Sequence, residues 1–268
     1  MKIIDVGSGP PVVLIPGVQG RWEWMRQAVD ALSARCRVVT FSLADEPTSG
    51  ARFDPASGFW SYVQQVADVM DASGLQQATI CAVSYGGLIG AAFAARHPER
   101  VSALVLVSAI PPSWTPDGKL RFLMKAPRLL LPLFCIGSVR LLPEMITAKG
   151  VVRGTAFAIA HLATVLTHPF SPRLMARRGR LAEALDIERD VQRVAVPTLV
   201  VTGERHLDRV VPVDLTRDYL RIWPHATHVV LERTGHLGLI THADSFAAAV
   251  STFVNRAIPD EAQRRRIG

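Results

Sequence analysis

Short apolar runs alternate with helix-period segments from one end of this chain to the other, and no other feature constrains the fold as much. Val12 to Ile15, Arg37 to Phe41, Ala78 to Val83, Ala103 to Ser108, Pro197 to Thr202 and Thr227 to Glu232 read as strands. Between and after them, the segments 21–36, 59–72, 86–96, 214–223 and 245–257 carry helical periodicity. The strand runs are continuous in Val, Ile and Leu, as required of strands covered on both faces. Strands separated by helices are joined by crossovers and lie parallel. The expected fold class is therefore α/β, a doubly wound and mostly parallel sheet.

One stretch breaks the rhythm. From 111 to 194 there is no convincing strand, only helical segments interrupted by Pro127, Pro132, Pro143, Pro169 and Pro172. An interruption of that length is too long for a loop and predicts a helical subdomain. The expected organisation is a core made of 1–110 and 195–268, with 111–194 inserted as a helical cap. A length of 268 residues, 49% hydrophobic and 20% charged, suffices for a sizeable core.

Several classes are disfavoured. The cysteines Cys36, Cys81 and Cys135 are widely spaced and form no disulfide framework, which fits a reducing, cytoplasmic setting. The opening "MKIIDVGSGPPVVLIPG" is broken by a Gly/Pro turn before a signal-peptide core can form. The greasiest segment, "LLLPLFCIGSV" from Leu129 to Val139, contains a proline and falls short of the ~20 residues that span a bilayer, so stable membrane insertion is not expected. The formal charge is +7, but the arginines are scattered, without aromatic interleaving. The densest runs, Arg177-Arg178 with Arg180 and Arg264-Arg265-Arg266, read as solvated faces or a frayed terminus. No nucleic-acid partner is expected. Neither HExxH nor paired CxxC spacing occurs, so no metal is implied, and no GxGxxG or GxxxxGK[ST] calls for a nucleotide cofactor. The oligomeric state is left open.

The chemistry gathers at "ICAVSYGG", residues 80–87, where a strand ends in Ser84 and a helix begins at Gly86. A serine at such a corner is pushed out over the carboxyl end of the sheet, where open α/β folds bind ligands. A helix cap would also place a serine here. A nucleophile, however, needs a tight turn with small neighbours, and Ala82, Gly86 and Gly87 provide them. The serine also needs a base. His236, in "LERTGHLGLI", follows the strand 227–232 by a short turn and emerges at the same end of the sheet. An acid should orient that base. The loop "GERHLDRVVP" after strand 197–202 offers Asp208, with Glu204 and Asp214 as rivals. Oxyanion donors are expected from two backbone amides: Tyr85, just after the serine, and Val18 in "PGVQG", after strand 12–15.

These pieces together resemble the α/β-hydrolase family, in particular its capped single-domain serine hydrolases. The resemblance runs from "GSGPPVVLIPG" to "TGHLGLI" and its closing helix, and the order Ser84, Asp208, His236 is the family's serine–acid–histidine order. It implies a nucleophile, an acid and a base at those positions, with oxyanion amides at Val18 and Tyr85. Three features depart from the family pattern. The motif is A-x-S-x-G-G, with Ala82 in place of glycine. Pro16 stands where a histidine usually precedes the oxyanion-loop glycine. The acid loop carries extra residues before Asp208. The expected reaction is hydrolysis of an ester-type bond in a small, largely apolar molecule, without a cofactor. Carbon–carbon hydrolysis, lactone opening, acyl transfer and non-catalytic ligand binding remain alternatives. Phe122, Leu123, Met124, Leu130, Leu133, Phe134, Phe157, Leu162 and Leu166 form the proposed apolar pool of the cap.

Overall fold

The computed structural model describes residues 1–128 and 141–257. Seven strands form one sheet: β1 (Ile3–Val6), β2 (Pro11–Ile15), β3 (Arg37–Phe41), β4 (Ala78–Val83), β5 (Val101–Val107), β6 (Thr198–Thr202) and β7 (Thr227–Val230). Their order across the sheet is β1-β3-β2-β4-β5-β6-β7. Every neighbouring pair is parallel except β1 with β3.

Side chains alternate across each strand and divide the interior into two layers. Val13, Ile15, Ile80, Ala82, Leu104, Leu106 and Val200 face one way, against Trp60–Ala72, Gly86–Arg96 and Val213–Ile222. Val12, Leu14, Cys81, Val83, Val105, Val107 and Val201 face the other, against Arg26–Ser33 and Ala243–Ala257. Burial on both faces explains the uninterrupted apolar runs.

The order of the strands places the site. From β2 the chain crosses to β3 on one side, then returns past β2 to β4 on the other. The loops leaving β2 and β4 therefore diverge, and a crevice opens between them at the carboxyl ends of the strands. Leu14 of β2 is level with Cys81 of β4, and Ile15 with Ala82, so the loop after Ile15 and the turn after Val83 start side by side.

Strand β1 is not evident in the sequence: it is a four-residue, half-exposed edge. Segment 21–36 begins as a 3-10 turn, Trp22–Met25, before its helix. Between β5 and β6 the described residues form no strand; they form the helices Gly118–Lys125, Leu142–Lys149, Val151–Thr167, Pro172–Glu183 and Glu188–Val191. The apolar segment 129–139, with Cys135, Leu130, Leu133 and Phe134, and the arginines 264–266 lie outside the described residues. Cys36 and Cys81 are buried free thiols. No described helix is long and apolar enough to cross a membrane.

Candidate active site

Ser84 sits in the two-residue corner between β4 and the helix Gly86–Arg96, with φ at 53°. Left-handed backbone is uncommon for a residue with a side chain, and the surroundings must hold it there. They do so from both sides. The Ser84 amide donates to the Val107 carbonyl at 2.9 Å, and its carbonyl accepts from Gly87 at 2.9 Å and Ile110 at 3.3 Å. Close packing explains the glycines. A Cβ on Gly86 would lie 2.6 Å from the Pro16 carbonyl oxygen, and one on Gly87 would lie 2.4 Å from the Ala109 methyl. The same geometry accounts for Ala82 in place of glycine. Its methyl faces Gly90 on the helix, where an added Cβ would come within 2.8 Å, so the methyl occupies space that Gly90 leaves free.

His236 and Asp208 meet. The imidazole Nδ1 lies 3.3 Å from Asp208 Oδ2, and both side chains are buried. An ionised carboxylate only accepts, so Nδ1 carries the proton and Nε2 is left with its lone pair. The other oxygen, Asp208 Oδ1, accepts the amides of Val210 at 3.1 Å and Val211 at 3.0 Å, which fixes the acid. Burial works against the Asp208 carboxylate, yet the His236 ring and these amides prevail and hold it below the usual carboxylate range. Burial likewise opposes the charged imidazole, but Asp208, together with Glu144, holds His236 above its ordinary value. The rival acids lie elsewhere: Glu204 accepts the Arg233 amide, and exposed Asp214 pairs with Arg205.

Ser84 and His236 line the same cavity of about 40 Å³. Its wall also includes Gly17, Gln19, Arg21, Trp24, His161 and Ile240. A larger depression of about 370 Å³ lies along 229–233, His242, Ser245 and Ala249, and it holds none of the three predicted side chains. The loop after β2 rests on the serine: a Cβ on Gly17 would lie 3.4 Å from Ser84 Cβ. Tyr85 opens the helix, where backbone amides lack partners within the helix. Val18 lies in the loop one residue past Gly17. The loop residues that reach the cavity wall are Gly17 and Gln19.

Arg178 is a correction to the sequence analysis. Rather than joining a solvated face, it is fully buried. From the helix Pro172–Glu183 it donates to the Val18 carbonyl at 2.8 Å, to Glu46 at 2.7 Å, and to Asp45 in a close ion pair. It also fills the space beside Gly20, where φ is 76° and a Cβ would strike the guanidinium at 2.3 Å. Pro16 supplies no side-chain anchor, and Arg178 ties down the 16–20 loop from outside.

Among the described residues, none of the proposed apolar pool of the cap lines the cavity. Phe122, Leu162 and Leu166 are exposed, and Met124 packs against Gly179. Phe157 stacks on His161, which itself meets Trp24 edge-on. Gln19, Arg21, Trp24 and Glu144 were not singled out in sequence as functional, and no local motif marks them.

Residues 10–134 match the model of a family described as alpha/beta hydrolase fold. The chain is 29% identical over 267 residues to a 2-hydroxymuconate semialdehyde hydrolase of Pseudomonas putida, covering 94% of this chain and 90% of that protein. It is 26% identical over 253 residues to a pimeloyl-[acyl-carrier protein] methyl ester esterase of Aliivibrio salmonicida, covering 92% and 93%. An esterase from Exiguobacterium antarcticum superposes with a TM-score of 0.77 at 20% identity, over 94% of each chain. The enol-lactonase of Burkholderia xenovorans superposes at 0.74, also at 20% identity, over 95% and 96%.

Proposed function

We propose that this chain, whose residues 10–134 match the model of the alpha/beta hydrolase fold family, is a serine hydrolase cleaving an ester-type bond in a small molecule. One observation carries the reading: His236, paired with Asp208, shares a cavity with a serine held at positive φ on a strand–helix corner.

In this mechanism His236 Nε2 takes the proton from Ser84 Oγ as the oxygen attacks the ester carbonyl. Asp208 stabilises the imidazolium that results. The Val18 and Tyr85 amides receive the developing oxyanion, and fixed dipoles of this kind supply much of an acyl-transfer rate. Collapse expels the alcohol, which takes the proton from His236 and leaves an acyl group on Ser84. A water then gives a proton to His236 and attacks the acyl carbonyl; collapse breaks the bond to Ser84 Oγ, which takes that proton back from His236, and the acid is released. The helices between β5 and β6 act as the cap: His161 supplies part of the cavity wall, and Arg178 braces the oxyanion loop. Trp24, Met25, Leu239 and Ile240 make an apolar lining suited to a short acyl or alcohol group.

The test is hydrolysis of p-nitrophenyl esters of increasing acyl length, with a lactone and a diketone in the same panel. Wild type should hydrolyse the esters, and Ser84→Ala should lose about a thousand-fold or more in kcat. Undiminished turnover by Ser84→Ala would remove Ser84 from the mechanism. Turnover of the lactone or diketone alone would replace the ester assignment.

A further inference from the structure

Glu144 is a buried acid outside the triad. It lies in the first turn of the helix Leu142–Lys149 and is 1% exposed. Its Oε1 accepts the Leu237 amide at 2.6 Å, from a residue 93 positions away. Its Oε2 is buried without a hydrogen-bond partner among the described residues. A carboxylate whose only task was to begin its own helix would lie near water and bond that helix's amides. Full burial of a carboxylate is costly, and an apolar side chain of similar size would pack the helix equally well.

What Glu144 faces is the histidine segment. On one side, the acid loop grips residues 234–236: Glu204 donates its amide to the Thr234 carbonyl at 2.7 Å, and a Cβ on Gly235 would lie 2.5 Å from the Leu207 backbone. Beyond the histidine, Glu144 takes the next amide, that of Leu237. Arg233 adds a second tie to the same helix, donating to the Thr147 carbonyl at 3.0 Å. His236 is thus held between the loop that supplies its acid and a helix of the insertion.

We propose that Glu144 is a positioning residue for His236: it fixes the histidine segment through the Leu237 amide and sets a second negative charge beside the imidazole. This rests on reading His236 as the base. Asp208 aligns the ring directly, whereas Glu144 acts through the backbone and through its field. The further charge that acts on the pair is Asp208 on the acid loop, and Arg21 lines the same cavity as His236. His242 lies further out, where burial, with Lys149 and Arg233, keeps its imidazole below the usual range. Burial pushes the Glu144 carboxyl up to about 7, against the pull of the Gly235 and Leu237 amides and of His236. Glu144 and His236 therefore titrate as a coupled pair.

The experiment is an NMR titration of His236 and Glu144 in the full chain, alongside the pH profile of kcat/KM, for wild type, Glu144→Gln and Glu144→Met. Glutamine keeps an acceptor for the Leu237 amide and removes the charge. In it, the His236 midpoint and the acid limb of the profile should move to lower pH. Methionine removes both the charge and the acceptor, so it should also lower kcat on the plateau. In wild type, the Glu144 carboxyl carbon should titrate well above the ordinary carboxylate range, in step with His236, a readout that needs no variant. An unmoved His236 midpoint in folded Glu144→Gln, or an undiminished plateau kcat in folded Glu144→Met, would overturn the proposal. Midpoints that shift in a chain inert toward every ester would uphold this positioning and defeat the ester reading alone.

Discussion

At the scale of single residues, the site is a set of close approaches that leave no room for an extra carbon. Gly86 shows this most directly, because its α-carbon lies where the 16–20 loop leaves β2 and any Cβ meets the backbone oxygens of Pro16 and Ile15 at 2.6 and 3.0 Å. Neither oxygen can rotate away. Gly86→Ala should cost about 1–3 kcal/mol in urea unfolding. It should also reduce kcat, because the β2 loop must shift away from Ser84. Glu144 makes a second prediction, about pH. Its carboxyl stands at about 7 against an ordinary 4.5, so the folded chain holds the proton more tightly than the unfolded one. The stability from that proton is complete below about 4.5 and is lost as pH rises to about 7. Glu144→Gln has no such proton to lose. Urea titrations should find the two proteins alike at pH 4 and the variant ahead at pH 8, by an amount on the order of 2 kcal/mol.

At the scale of elements, the three catalytic candidates are legible in the sequence because Ser84 follows buried β4 directly and Asp208 and His236 lie in the loops that leave β6 and β7, and a strand end limits where the next residues go. Strands β2 to β6 were legible for the same reason: an unbroken Val/Ile/Leu run has few alternatives. Edge strand β1 escaped notice because Ile3-Ile4-Asp5-Val6 is half exposed and pairs antiparallel, with no helix before it to mark a crossover. The supports of the site were not legible at all. Arg178 meets Glu46 across 132 positions and Glu144 meets Leu237 across 93, separations that no local pattern encodes. A charged side chain in an arginine-rich helix also looks solvated until its partners are known. Arg178 carries its own prediction. Arg178→Met strands Asp45 and Glu46 in the interior and should destabilise the chain by about 3–5 kcal/mol in thermal or urea melts. Arg178→Lys retains a charge but loses the fork that reaches the Val18 carbonyl and the two acids together. It should lower kcat more than it raises KM, since the loop it braces serves the transition state.

At the scale of the whole molecule, the sheet brings its working groups to one end. The crevice between β2 and β4 receives the loop with Val18 and the corner with Ser84, while β6 and β7 deliver Asp208 and His236 from the far side. The stretch between β5 and β6 reaches the same end through His161, Glu144 and Arg178. A cavity of about 40 Å³ favours short groups. In the ester panel, acetyl and butyryl esters should therefore outpace octanoyl esters in kcat/KM. The central claim is that Ser84 forms a covalent bond during turnover, activated by His236. The most direct measurement is intact-protein mass spectrometry after exposure to a p-nitrophenyl alkylphosphonate, followed by peptide mapping. Serine Oγ attack on phosphorus would expel p-nitrophenolate and leave a phosphonyl group on the chain. The account predicts one phosphonyl group on wild type, mapped to Ser84, none on Ser84→Ala, and slow labelling of His236→Ala. Labelling at another residue, or equal labelling of wild type and Ser84→Ala, would contradict it.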